Sequence, residues 1–426
     1  MHAGILLLVS AIFIAGCVKD SGMKKTRIFT PVYKTSAEVR AAIKSDAAIA
    51  ITNPGKIFVQ GNYIFLNEIG KGIHIIDNTN PSSPVNKAFI NIPGNGDLAV
   101  KGNILYADCF TDLMAIDISN PSSVSLKSFV PGIFPDRQYI LGYQVPQNSI
   151  ITDWVGRDTV LDLEIQEGQG IWRHGNYYTY ITYAYPDMYL AAAYNSTDAA
   201  AFKSNNSANG VAGSMSRFAL MQNYLYAITT STLNVVNISN STSPQWNKTI
   251  SLNAFAETIY PFKDKLFIGS QTGMFIYAVN NPESPLPLGQ FQHIRNCDPV
   301  VVDGDYAYVT LHAGAFCGGD LNELDVLDIK DITNPSLTKT YHLTNPQGLS
   351  KDGNILVICD GADGLKLFDA KDPLDIKQLS TVGIAETYDV ICYNKIAIVS
   401  AKDGLYQYDY SNASNPKQLS KLVIQH

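Results

Sequence analysis

Apolar and polar positions alternate along most of this chain in short runs, and the runs come in pairs. The second run of each pair closes on Asp or Asn and leads into a polar stretch that usually holds Asn-Pro or Ser-Pro. GIHIIDNTNPSSP occupies 72–84 and LMAIDISNPSS occupies 113–123. The phrase returns as LNVVNISNSTSP at 233–244, MFIYAVNNPESP at 274–285 and LDVLDIKDITNPS at 324–336, and it closes as LKLFDAKDP at 365–373 and LYQYDYSNASNP at 405–416. Alternation with period two predicts β-strands, and nothing between the runs has the period of a helix. Asp and Asn bond to nearby main-chain N–H groups and Pro forbids strand continuation, so the closing phrase predicts a turn.

The first run of each pair opens on its own turn. GNYIFL at 61–66, GNILYA at 102–107, QNYLYA at 222–227, KDKLFI at 263–268, GDYAYV at 304–309, GNILVI at 353–358 and YNKIAIV at 393–399 read as a hairpin entering a strand. The closing positions lie 40 residues apart between Asp77 and Asp117, 41 between Asn237 and Ala278, 41 between Asp328 and Asp369, and 40 between Asp369 and Asp409. Ala278 to Asp328 is 50, because that unit carries a longer loop around Cys317. A four-stranded unit of roughly 40–45 residues is the period of a β-propeller blade. The interval from Asp117 to Asn237 holds a degenerate copy, SIITDWVGRDTVLDLE at 149–164, closing on Asp162. The expectation is an all-β propeller of eight blades, or seven if that copy is not one. The chain before Lys56 is available to lend a strand that closes the ring against the last blade.

The closing runs resemble those of the LVIVD-repeat family of bacterial and archaeal surface proteins, and more narrowly its propeller-like Bacteroidetes-type lipoproteins. The likeness runs over about 55–424 and is closest in GKGIHIIDNTNPSSP, LMAIDISNPSS and AGAFCGGDLNELDVLDI. The third unit departs from it, and Ala278 stands where the phrase has Asp. The resemblance implies a propeller at the cell surface and carries over no catalytic residue. It also fits a disulfide between Cys297, which opens its unit, and Cys317 in the longer loop.

The chain opens on GILLLVSAIFIAG at 4–16, too short for a stable membrane span. It ends in Ile14-Ala15-Gly16-Cys17, which resembles a bacterial lipobox. That likeness implies cleavage before Cys17, acylation of Cys17, and an address in the bacterial cell envelope at the outer membrane or cell surface. Several acyl chains on one residue anchor stably. The expected division is a signal and lipobox over 1–17, a tether over 18–50 with a short helix at 36–43 capped by Ser36, and one propeller over 51–426 with an insertion at about 167–214.

Composition narrows the partners. With 46% hydrophobic and 16% charged residues the chain is a folded β-rich protein, and its net charge of −7 argues against nucleic acid. The membrane is reached only through the lipid, and a closed ring leaves few edges for oligomers, so a monomer is expected. Apart from Cys17, Cys297 and Cys317, the cysteines Cys109, Cys359 and Cys392 sit in apolar strands and read as small buried hydrophobes. There is no CxxC and the seven histidines are scattered, so neither a metal nor a cofactor is expected. Asp360-Gly-Ala-Asp363-Gly reads as a turn rather than a calcium loop.

Two sets of residues are candidates for function. Aligning the front halves places Lys56, Asp97, Arg217, Glu257, Asp298 and Asp389 at or beside the starts of innermost strands, around one mouth of the axial channel. They either bind something there or pair with one another. The insertion carries Tyr177, Tyr178, Tyr180, Tyr183, Tyr185 and Tyr189, whose flat faces and hydroxyls suit a protein or sugar surface, and whose alternation with Thr and Ala equally suits a half-buried strand. No GxSxG, HExxH or phosphate loop is present. The leading expectation is a non-catalytic envelope lipoprotein that binds a protein or glycan. The alternative is an enzyme acting on extracellular carbohydrate through Asp97, Glu257, Asp298 and Asp389.

Overall fold

The computed structural model describes residues 22–138, 145, 146, 148–163, 172–174, 177–179, 198, 199, 210–293, 299–313 and 321–425. It divides into two compact units, one gathering residues up to 32 with 153–186 and the other 33–152 with 187–426. The second unit is a β-propeller of seven blades at 54–91, 98–130, 218–251, 256–292, 300–342, 349–382 and 387–423. Each blade is an antiparallel meander of four strands, and the innermost strands succeed one another around the axis, with that of the seventh blade beside that of the first.

The repeat phrase builds this directly. The second and third strands of the first two blades, Tyr63–Glu68 with Gly72–Asp77 and Ile104–Cys109 with Asp112–Asp117, are buried almost throughout because each face packs on a neighbouring blade. At the closing phrase, Asp77, Asp117, Asn237, Asp328, Asp369 and Asp409 each accept the main-chain N–H two residues on. Ala278 has no side-chain oxygen to do so. All seven loops lie at the end of the ring opposite the channel mouth described below.

The hairpin turns require a left-handed residue. Gly61, Gly102, Gly304 and Gly353 fill that place in four blades, but Gln222 and Lys263 fill it at φ 54° and 55°. A non-glycine residue there costs about 1–2 kcal/mol, part of which glycine loses again as unfolded-chain entropy. Gln222→Gly is therefore expected to raise stability by about 0.5–1 kcal/mol in urea unfolding. A lower midpoint would show that the glutamine side chain does something the turn needs.

Every outer strand carries a bulge at its third residue, where the register skips Lys87, Lys127, Asn247, Leu288, Thr338, Leu379 and Leu419. A bulge twists an edge away from further pairing. The first blade shows the limit this sets. Strand Lys44–Ala47 pairs on its outer edge from Asn91 to Ala88 and stops beside Lys87. The segment before Lys56 thus augments the first blade rather than closing the ring on the last one. It also clips the first blade to the second. The Ser45 hydroxyl donates to Pro121 O at 3.0 Å and accepts from Val124 N at 2.9 Å, while Arg40 pairs with Asp112 and lies 3.6 Å over the Phe129 ring. Arg40 belongs to the helix Ser36–Ala41, whose cap is Thr35 rather than Ser36: Thr35 Oγ1 accepts from Glu38 N, and Glu38 accepts from Thr35 N.

The ring closes without sharing a blade between the two ends of the chain. Asn78 and Gln407 exchange amide hydrogen bonds at 2.7 and 2.9 Å, Ser420 donates to Pro81 O at 2.7 Å, and Gln425 N donates to Ile51 O at 2.8 Å. Behind them Ile57, Ile64 and Ile76 pack against Ile391, Ile398 and Leu405. The expected degenerate blade at 149–164 is instead one strand, Ser149–Leu163, paired with Gly22–Thr35 in a two-stranded sheet of its own. The ring therefore has seven blades, not eight.

Candidate functional site at the channel mouth

The innermost strands start at one end of the ring, and five of the six predicted charges are found there. Lys56 lies in Pro54–Gln60, Asp97 just before Leu98–Lys101, Arg217 just before Phe218–Met221, Glu257 in Ala256–Phe262 and Asp389 in Thr387–Tyr393. Asp298 lies outside the described residues. Asp97, Arg217, Glu257 and Asp389 are all buried.

Asp97 is the hub. Its Oδ2 accepts from Lys56 Nζ at 3.1 Å and from the main-chain N–H of Arg217 at 2.5 Å, and its Oδ1 accepts from Leu98 N at 2.7 Å and Ser216 Oγ at 3.4 Å. The Arg217 guanidinium donates through Nε to Glu257 O at 3.3 Å, and the Glu257 carboxylate accepts from Gln271 Nε2 at 3.0 Å. Burial pulls the Arg217 guanidinium down, and the repulsion of Arg137 adds to this against the attraction of Glu257, Asp136 and Asp97. Asp389 answers to burial first, which pushes its carboxyl up to about 7 against the opposing pull of the Val390 N–H and Lys56; Asp97 pushes it further up.

The channel itself is filled by the protein's own chain. Segment 210–217, the end of the insertion, crosses the axis. Val211 and Ala212 pair with Val59 and Phe58 of the first blade. Gly210 N donates to Val100 O in the second blade and Gly213 N to Ile57 O in the first. Ser214 Oγ accepts from Leu349 N of the sixth at 2.7 Å, and Ser216 O accepts from Ile259 N of the fourth at 3.0 Å. Five blades, counting the third that it enters, are thus tied to one buried crosspiece.

Sequence reasoning missed this crosspiece and a second buried pair beside it. Asp108 accepts from Asn95 Nδ2, Gly96 N and Asp97 N at 2.7, 2.8 and 2.9 Å and pairs with Arg137, whose guanidinium stands 5.1 Å from the Phe134 ring. The available signal was an Asp inside the apolar run ILYADC. Asp360 and Asp363 both meet Lys366, at 2.5 and 3.1 Å, and Asp360 also accepts from Thr344 N and Asn345 N, so they organise a turn. Cys109, Cys359 and Cys392 are buried thiols. Tyr177 and Tyr178 lie in a short strand, Tyr177–Thr179, paired with Trp172–His174. Cys17, Cys297, Cys317, Tyr180, Tyr183, Tyr185 and Tyr189 lie outside the described residues. Among the described residues no three His, Cys, Asp or Glu side chains converge as a metal set, and no helix is long and apolar enough to cross a membrane.

Comparison with known proteins agrees with this architecture. The LVIVD repeat is matched at residues 54–91, 95–130, 212–249 and 294–342, which fall on the first, second, third and fifth blades. No curated protein matches the chain. Among solved structures, the periplasmic gluconolactonase of Pseudomonas aeruginosa is similar at 11% identity and TM-score 0.54, over 90% of this chain and 96% of that one. A protein from Lactobacillus plantarum is similar at 10% identity and TM-score 0.53, over 87% and 96%. The computationally designed Ika8 protein is similar at 10% identity and TM-score 0.50, over 88% of each. Likeness at such identities shows the fold alone. The chain is a seven-bladed β-propeller that carries LVIVD repeats.

Proposed function

We propose that this protein is a non-catalytic binding propeller of the bacterial cell envelope, held by an acylated Cys17 and monomeric, whose partner is a protein or a glycan. The observation that carries this reading is the crosspiece. Where a propeller would receive a ligand on its axis, residues 210–217 are seated, held by the Asp97 carboxylate and by the main-chain carbonyl of Glu257, whose carboxylate accepts from Gln271. The Asp97 carboxylate thereby has structural work, which weakens the carbohydrate-hydrolase alternative. What the ring offers a partner is its outside. Phe255, on the loop between the third and fourth blades, and Trp246, on the outer strand of the third, are 60% and 55% exposed. Large aromatic side chains held on a rigid scaffold are the usual anchors of an interface.

Residues 21–426, freed of the anchor, should capture a defined partner from envelope extract or bind on a glycan array, and Trp246→Ala, Phe255→Ala or the pair Tyr178→Ala and Tyr183→Ala should weaken that binding at least about tenfold. Glycoside hydrolysis that collapses in Glu257→Gln or Asp389→Asn would overturn the reading. In cells, Cys17→Ala is expected to move the protein from the membrane fraction to the soluble one. An unchanged distribution would remove the lipid anchor from the proposal.

A further inference from the structure

The last blade meets the first where chain continuity cannot help, and Asp389, buried on the innermost strand of that last blade, feels the charge of Lys56 on the first. Asp389 Oδ1 accepts from Val390 N at 2.8 Å, and its buried Oδ2 receives no hydrogen bond among the described residues. Gly348 closes one side of the carboxylate. A Cβ built on Gly348 of the sixth blade would stand 2.5 Å from Asp389 Oδ1 and 2.9 Å from its Cα. The cation that acts on Asp389 is Lys56 of the first blade, and Lys56 is already bonded to Asp97. The Lys56 ammonium is thus hydrogen-bonded to Asp97 and acts on Asp389 through its charge.

We propose that Asp389 is a proton-operated latch on the closure of the ring. With Asp389 neutral, Lys56 stays on Asp97, and Asp97 holds the crosspiece through Ser216 Oγ and Arg217 N. When Asp389 loses its proton to solvent, the seam carries two buried anions and one cation. Lys56 is drawn toward the seventh blade, its bond to Asp97 weakens, and the crosspiece and the seam between the first and seventh blades loosen together.

The surroundings of Asp389 support this assignment. The first blade contributes Lys56 and the second Asp97. The sixth contributes the buried Cys359 thiol, itself pushed up by burial and by Asp389. On the innermost strand of that blade, Lys351 is bonded to Asp303, while Asp352 is bonded to Lys395 and Tyr410. The strand beside Asp389 in its own blade places Ser400 opposite it, and the crosspiece contributes the Ser214 hydroxyl, bonded to Leu349 N. Among the described residues of these elements, Lys56 is the cation that acts on the carboxylate. Burial places the carboxyl near 7, above its value in an unfolded chain. The sign follows: the folded protein keeps a proton that the unfolded chain has released, so what Asp389 contributes to stability is greatest in acid and falls as pH rises to 7.

Hydrogen exchange read by mass spectrometry on the full-length protein tests the latch. Protection, corrected for intrinsic rates, is compared at about pH 6 and about pH 8.5. Peptides covering 210–221 and 387–393 are expected to lose up to about tenfold protection on the alkaline side, while peptides within 265–278 of the fourth blade change little. Asp389→Asn and Asp389→Ser, neutral at both values, should hold the acid-side protection throughout. A wild-type seam as protected at the high value as at the low one overturns the latch. So does a loss of the same size in a folded Asp389→Asn or Asp389→Ser protein.

Discussion

Replacing Asp97 by alanine is expected to destabilise the propeller by about 3–5 kcal/mol, the range seen when one partner of a buried charged network is removed. The substitution strips an acceptor from Lys56 Nζ, Arg217 N and Leu98 N at once, while the Ser216 hydroxyl keeps Phe218 O at 2.8 Å. Two of those donors are main-chain groups in a buried place, where an unmade hydrogen bond costs about 1–3 kcal/mol. The Lys56 side chain, only 12% exposed, keeps its charge and loses the carboxylate that stood 3.1 Å from it. Asp97→Asn retains one acceptor oxygen and should cost roughly half as much. Urea unfolding measures both. A double-mutant cycle with Lys56→Met then separates the ion pair from the rest, and the coupling should be at least about 1 kcal/mol. An Asp97→Ala protein within 1 kcal/mol of wild type would mean that the crosspiece is held by its pairing with Val59 and Phe58 and its bonds to Ile57, Val100, Ile259 and Leu349, without Asp97.

That prediction depends on residues of two kinds, those the sequence discloses and those it conceals. The repeat was legible because each blade buries its two middle strands on both faces and must then turn, so apolar alternation and Asx-Pro turns recur with one period. The same register brought Lys56, Asp97, Arg217, Glu257 and Asp389 to one mouth. Periodicity predicts a strand without naming its partner, however. SIITDWVGRDTVLDLE alternates like a blade strand and does form Ser149–Leu163, but it pairs with Gly22–Thr35 outside the ring. The crosspiece was illegible for a related reason. GVAGSMSR at 210–217 is small, polar and without period, and its burial comes from contacts 100 or more residues away, such as Ser214 to Leu349 and Arg217 to Asp97. Arg137 was hidden likewise, because its value lies in reaching Asp108 from a short 3₁₀ turn at Pro135–Gln138.

Glu68→Gln is expected to cost about 2–3 kcal/mol at neutral pH, and the cost should vanish in acid. Glu68 ends the second strand of the first blade and is fully buried. Burial alone would raise its carboxyl, but hydrogen bonds from His74, from the Thr52 hydroxyl and N–H and from Asn53 N outweigh it and hold the group at about 2. The geometry sets their direction. Asn86 Nδ2 donates to Ile49 O and faces His74 Nδ1, so the ring proton sits on Nε2, 3.1 Å from Glu68 Oε2. Glutamine would turn an NH₂ group toward either that proton or the N–H groups of Thr52 and Asn53, and one donor would be left facing another. The folded-state carboxyl lies below its unfolded value, so the stabilisation is complete above about 4.5 and is lost as pH falls toward 2. This slope is opposite in sign to the one Asp389 imposes between 4 and 7. Thermal unfolding of wild type should therefore be most resistant at mildly acidic pH. Glu68→Gln should flatten the acid limb alone and Asp389→Asn the neutral limb alone. If Glu68→Gln lowers the midpoint equally at about pH 3 and about pH 7, the carboxylate charge is not what anchors the loop at Thr52 and Asn53, and shape alone accounts for its burial.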